Sequence, residues 1–276
     1  MRELADNGRR ADGVGESSVP TEALMGSKRF RNKTCVYCGR DGVSDTADHV
    51  IAREFFRDHE RANLPKVPAC AVCNNAKSHL EHYVLSVLPM GGIHPDAVAT
   101  IADRVGPRLA KNEALRRALF AGQRDRLVLG PDGVWREGMS IPFEGKKLAA
   151  LAGFIALGLA WHHWQIQIAP NAVANATLFS AEGAQYFERA LASLPLEQRV
   201  DRKFDSDVIA YRGGYQATNK NVTLWEIQFY GGVEFGDSKK KGETARSMFI
   251  ATSDDPNWIA RHSAREPGCL APISVG

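Results

Sequence analysis

From Cys73 onward the chain reads CNNAKSHLEHYVLSVLPMGG, and Leu80, Val84, Val87 and Leu88 recur there at helical spacing. Such a recurrence lays one apolar stripe along a helix, and the Pro-Met-Gly-Gly that follows supplies its stop. Asn74, Lys77, Ser78 and Glu81 then share a different, polar face of the same predicted helix. Upstream, RFRNKTCVYCG brings β-formers and a glycine just after a cysteine pair, which predicts a short hairpin. A second helical pattern runs over residues 94–122. It is interrupted at Pro107 and ended by Gly122, with Arg104, Arg108, Lys111, Arg116 and Arg117 among its apolar positions.

Beyond it, RLVLGPDGVWRE predicts a hairpin closed by a Gly-Pro-Asp-Gly turn. The apolar run LAALAGFIALGLAW, Leu148 to Trp161, is shorter than the roughly 20 residues a bilayer span needs, so it predicts a buried core helix. Another helix follows in SAEGAQYFERALASL, with Ser180 as cap and Phe187, Ala190 and Leu191 facing inward. The last third changes period: DVIAYRGGYQA, NVTLWEIQFYGG and RSMFIATS predict an antiparallel meander. Trp225, Ile227 and Phe229 alternate toward its core, while Tyr211, Tyr215 and Tyr230 read either as sheet packing or as groups for stacking on a ligand.

The fold class expected from these patterns is α+β. A flexible tail is expected at 1–30, a metal-stabilised module at 31–92, an α+β domain at 93–255 (helical over 94–195, β-rich over 205–253) and a second tail at 256–276. At 276 residues, with 44% hydrophobic and 24% charged, the chain has the composition of a soluble protein with a proper core. The formal net charge of +3 says little about partners. From Lys28 to Lys77 ten Lys or Arg stand against six Asp or Glu, a local excess of +4 and a mild basic bias. The N-terminal MRELADNGRRADGVGESSVP lacks the apolar stretch of a secretory signal, which points to a reducing cytoplasm with no membrane partner.

Cys35, Cys38, Cys70 and Cys73 form two Cys-x2-Cys pairs, the spacing in which each pair wraps one side of a tetrahedral ion. Zinc suits four thiolates and keeps no open position there, so the site would be structural. Two disulfides or an iron-sulfur centre are the alternatives. Cys269 stands apart with no role assigned.

A structural zinc knuckle does not need the polar residues lodged around these cysteines: Asp48-His49, Asn63 and Asn74. In combination, Cys-x2-Cys, DHV, ANLPKVPAC and CNNAK resemble the HNH endonuclease family and its ββα-metal motif, over about residues 33–90 only. The resemblance implies that Asp48 and Asn74 ligate a divalent cation, that His49 is the general base, and that Asn63 orients it. Asn74 stands where the motif's last letter names a histidine, and an amide oxygen favours magnesium or manganese. Lys77, on the same helical face as Asn74, is either a contact to the substrate's backbone or an ordinary solvated lysine. His59, His79 and His82 read as surface or supporting residues, although His79 or His82 could stand in for Asn74. His162 and His163 read as core-rim residues.

The chemistry fits those roles. Phosphodiester hydrolysis needs an activated water, and an imidazole titrating near 6.5 can take its proton close to neutrality. Adjacent residues of a regular strand point to opposite faces, so Asp48 and His49 can address one phosphate only from a strand end or bulge. The expected function is that of a metal-dependent endonuclease hydrolysing DNA phosphodiester bonds, with double-stranded DNA as the expected partner. The alternative is a zinc-stabilised nucleic-acid-binding module without catalysis. Target choice and oligomeric state are not written in the sequence.

Overall fold

The computed structural model describes residues 28–92, 94–129, 133–179, 181–204, 207–236, 244–255, 257 and 273–274. The expected N-terminal tail, the Ser180 cap, Cys269 and most of residues 256–276 lie outside them. The fold is α+β, with the four-cysteine segment first and an antiparallel sheet toward the end.

Strand β1 (Thr46–His49) pairs antiparallel with β2 (Lys66–Ala69), joining Thr46 to Ala69 and His49 to Lys66. Pro68 sits in β2 without an N–H to give, which a two-stranded ribbon tolerates, and its carbonyl accepts from Val36 N at 3.0 Å. Helix α1 (Ala71–Val87) follows directly, with Tyr83, Val84, Leu85 and Val87 buried. The ββα unit that the family resemblance implies is therefore present as a continuous piece of chain, but the hairpin expected at RFRNKTCVYCG is not: residues 29–39 form turns, and the paired strands are β1 and β2 further on.

Next come α2 (Pro95–Thr100), a π-helical turn (Ile101–Val105), α3 (Gly106–Lys111) and α4 (Glu113–Gly122). Pro107 does not end the helix. Thr100, Val105 and Gly106 all have helical backbone, so α2, the π-helical turn and α3 run on without a stop, and the irregularity is the widened π turn directly before the proline. The break falls at Asn112 (φ −127°, ψ 73°), whose side chain accepts from Leu115 N at 3.1 Å and caps α4. The predicted hairpin is β3 (Arg124–Leu129) with β4 (Trp135–Ser140); of its Gly-Pro-Asp-Gly turn only Gly133 is described.

Helix α5 (Gly145–Trp164) is the apolar run, with Leu148, Leu151, Ile155 and Leu159 all buried. Strand β5 (Val173–Thr177) and helix α6 (Ala181–Ala192) precede β6 (Arg199–Lys203), β7 (Ile209–Gln216) and β8 (Asn219–Phe229). The chain continues through β9 (Phe235–Gly236), β10 (Thr244–Ala245), β11 (Met248–Ser253) and β12 (Ile273–Ser274). The main sheet has the order β12-β5-β11-β8-β7-β6. Its centre is the expected meander, but β5 comes from the stretch read as helical, and β12 from the stretch read as an irregular tail.

Period-two alternation sorts the sheet's faces. Trp225, Ile227, Phe229, Met248 and Ile250 pack on the α5 side, while Phe249 packs with Phe187 and Leu191 of α6 on the other. Tyr211 and Tyr230 are buried among the core aromatics, so they pack the sheet and offer no face to a ligand.

A single buried cluster runs from Val36 and Val50 through Leu88 and α5 to Ile250. The expected division near residue 92 is therefore not a division of the core. Phe55 and Phe56, just after β1, are fully buried against Phe229, Tyr230 and Phe204. Burial of a phenylalanine contributes about 1.5–3 kcal/mol, and these two rings tie the first segment to the sheet. No single helix among the described residues is long and apolar enough to cross a membrane.

Candidate functional site

The four sulfurs of Cys35, Cys38, Cys70 and Cys73 lie within 4.8 Å of one another, and Cys38 and Cys70 are 4.0 Å apart. A tetrahedron with bonds of about 2.3 Å sets its sulfurs about 3.8 Å apart, so the cage has the size for zinc. None of the four is disulfide-bonded. Backbone geometry builds the cage. The first pair sits in a turn where Gly39 N donates to Cys35 O at 2.9 Å with φ +68°, and a Cβ on Gly39 would lie 2.5 Å from Pro170 Cγ. Only glycine meets both conditions. The second pair opens α1, with Cys70 as its N-cap and Cys70 N donating to Cys35 Sγ at 3.3 Å. Burial raises the Cys35 and Cys73 thiols. Burial would raise Cys38 too, but hydrogen bonds from Arg40 bring it down to about 6.

Beside the cage, a second cluster forms where β1 ends against the polar face of α1. Tyr37, between the first two cysteines, donates its hydroxyl to Asp48 Oδ2 at 2.5 Å. Lys77, fully buried, sets its ammonium 3.1 Å from the same oxygen, 2.7 Å from the carbonyl oxygen of His49 and 2.5 Å from Glu81 Oε1. Asp48 Oδ1 has no protein partner among the described residues. Burial and then the Asp48 charge push the Tyr37 hydroxyl well above its ordinary value. Burial also raises Glu81, against the pull of Lys77.

His49 is the last residue of β1 and half-buried. Burial, reinforced by Lys66, Arg53 and Lys77, lowers its pKa to about 4, so the imidazole is neutral at neutral pH. Because the strand ends there, Asp48 and His49 line the same cleft despite being neighbours in sequence. This cleft, about 950 Å³, runs between α1 and the α3–α4 turn, and Ser78, Glu81 and His82 also line it.

The other expected residues are placed less directly. Asn74 lies one turn before Lys77 on the same face of α1, half-buried, and is not part of the cleft wall. Asn63 is exposed in the loop before β2 at φ +60°, a left-handed conformation that asparagine tolerates better than most residues. Its side chain makes no hydrogen bond among the described residues. Lys77 does not face outward as a substrate contact would. Its ammonium is consumed by two carboxylates and a carbonyl, and it clamps β1 to α1 instead. His79 and His82 line the cleft from exposed positions, His59 is exposed, and His163 donates to or accepts from Tyr211 Oη at 3.0 Å in the core.

Two participants carried no assigned role in the sequence: Tyr37 and Glu81. Glu81 had a legible signal, since a lysine followed four residues later by glutamate is an ion pair on one helical face. Tyr37 had none, because its approach to Asp48 depends on how the first cysteine turn folds over β1.

Residues 35–80 match the family model for HNH endonuclease. The match takes in both cysteine pairs, the hairpin and the first half of α1, including Asp48, His49, Asn63, Asn74 and Lys77. No curated protein and no solved structure matches the chain. A match to this family model suggests a nuclease-type or nucleic-acid-binding function, and members of the family act on nucleic acid. The four cysteines within the matched residues can hold a zinc ion.

Proposed function

We propose that the protein is a metal-dependent endonuclease that hydrolyses DNA phosphodiester bonds, leaving 5′-phosphate and 3′-hydroxyl ends. The observation that carries this reading is that His49 and Asp48 line one cleft together, with the imidazole held neutral and the carboxylate fixed through only one of its oxygens.

His49 is the general base. A neutral ring at the mouth of a cleft accepts a proton from water, and the clamp of Lys77 on its carbonyl keeps the end of β1 from moving. Asp48 is aimed by Tyr37 and Lys77, which leaves Oδ1 for a ligand. Asp48 and Asn74 supply hard oxygen donors of the kind magnesium or manganese prefers. Such a cation, when bound, neutralises charge on the scissile phosphate and the departing oxygen. The cysteine cage takes no part in chemistry; Cys35, Cys38, Cys70 and Cys73 would hold a zinc ion whose role is to fasten the start of α1 to the first cysteine turn.

The test is relaxation and linearisation of supercoiled plasmid in magnesium, in manganese and in chelator, by the wild type and by His49→Ala. Cleavage that needs the divalent ion and is abolished by the substitution supports the reading; an equally active His49→Ala protein removes His49 as base. A second reading, a zinc-stabilised binding module without catalysis, draws on Asn63, which makes no bond to His49. It predicts salt-sensitive DNA binding with no nicking in any divalent metal.

A further inference from the structure

Most cations near the cleft are already spent. Arg108 pairs with Glu54 at 3.4 Å, Lys147 with Glu144 at 2.8 Å, and Arg57 with Asp96 and Asp103 at 3.4 and 2.8 Å. Lys77 is buried between Asp48 and Glu81. Two cations beside His49 differ. Lys66 is exposed, and the β1–β2 register sets it directly opposite His49. Residues so paired project to the same side of the ribbon, with Cβ atoms about 4.5–5.5 Å apart. Arg53, also exposed, opens the 3-10 turn Arg53–Phe55 just after β1 and lines the cleft with His49. Neither side chain has an ion pair or hydrogen bond among the described residues.

Two unpaired cations beside His49, one across the ribbon and one at the cleft wall, are an arrangement for anions. We infer that Lys66 and Arg53 grip the nucleic-acid backbone on either side of the bond presented to His49, each taking one phosphate. The inference rests on the nuclease reading for the identity of the central group, but not for the binding itself. Contacts of this kind fix register along the strand and carry no base identity, so the grip is indifferent to sequence. It also separates two kinds of lysine within the HNH segment: Lys77 organises the protein, whereas Lys66 meets the substrate.

The experiment measures binding of the full-length zinc-loaded protein to a duplex of about 30 base pairs over a salt series, and cleavage of the same duplex in magnesium. Binding is followed in the His49→Ala background, so that cutting does not interfere. Lys66→Ala and Arg53→Ala should each weaken binding roughly tenfold and reduce the salt slope by about 0.9. In the active protein each should raise KM more than it lowers kcat. Lys66→Arg and Arg53→Lys should recover most of the loss, which a merely structural role would not allow. Lys203→Ala, removing a cation exposed on β6 and paired with Asp207, serves as the control for loss of one charge.

Variants of Lys66 and Arg53 that bind with the wild-type slope, or lose no more than Lys203→Ala, overturn the grip while leaving cleavage by the wild type, and hence the nuclease reading, intact. Tight binding without cleavage overturns the nuclease reading, and the same slopes still judge the grip. Absence of binding to any nucleic acid overturns both.

Discussion

His49 in the hairpin segment and His163 at the end of α5 have the same lowered pKa, about 4, and burial is the first cause in both. Their surroundings differ. The His163 ring is bonded to Tyr211 Oη and enclosed by Trp164, Tyr211 and Trp225. The His49 ring has no hydrogen bond among the described residues, lines a cleft of about 950 Å³, and has Lys66 and Arg53 for neighbours. A depressed pKa marks burial in either place. Access, an unspent lone pair and unpaired cations are what distinguish a candidate base from a core histidine.

The largest expected effect comes from breaking the support of one region without touching the other. Cys73→Ser, or prolonged chelation, should release zinc and unfold the hairpin and the start of α1, since structural zinc in comparable small motifs contributes about 10–16 kcal/mol. Zinc content and near-UV circular dichroism would report it. Because the sheet has its own faces packed by α5 and α6, its far-UV signal should persist; simultaneous collapse of both would show that the shared core is not self-supporting.

Next in size is catalysis. His49→Ala should lower kcat by about 10²–10⁴-fold with little change in melting temperature. His163→Gln, which retains a hydrogen-bonding group opposite Tyr211, should leave kcat near wild type. Reversal of that order would invert the comparison.

Lys77→Met comes third. It leaves Asp48 and Glu81 facing each other without their cation, and breaking such a buried pair costs about 3–5 kcal/mol. A lower midpoint in urea together with weaker metal dependence of cleavage is the expected result. An unchanged midpoint would mean that the two carboxylates are hydrated and not held by the lysine.

The smallest effect is on pH. A histidine whose folded pKa lies below its usual 6.5 contributes stability that is complete above pH 6.5 and is lost as pH falls toward 4, because only the unfolded chain takes up the proton in that window. The melting temperature should decline across it, and His163→Gln should make the decline shallower. Cleavage should hold up below pH 6.5 for the same physical reason, since His49 stays unprotonated there.

Much of the hairpin segment was legible because metal spacing is local: two Cys-x2-Cys pairs state the cage almost without tertiary information. The helical stripe of Leu80, Val84, Val87 and Leu88 and the alternation of Trp225, Ile227 and Phe229 were legible for similar reasons of periodicity. What could not be read depends on contacts distant in sequence. Lys77 looked like a solvent-facing residue of a polar helical face until β1 folded over that face. Pro107 looked like a breaker, yet the helix runs through it behind a π turn. Strand β5 is short and carries Ala174, Asn175 and Ala176, a weak strand pattern that pairing with β11 overrides. The shared core was hidden for the same reason: Phe55 and Phe56 are local in sequence but their partners are not.

One glycine on α5 gives the second half of the chain a hold on the first. A Cβ on Gly158 would lie 2.8 Å from Val50 Cγ1, and Val50 is the residue immediately after His49. The long helix thus works as a spacer of fixed thickness behind the residue next to the imidazole, and adding a single methyl group would press on Val50 without altering any charge. Tuning of reactivity from the rear, by side-chain bulk alone, is a route open to this architecture and closed to an isolated knuckle.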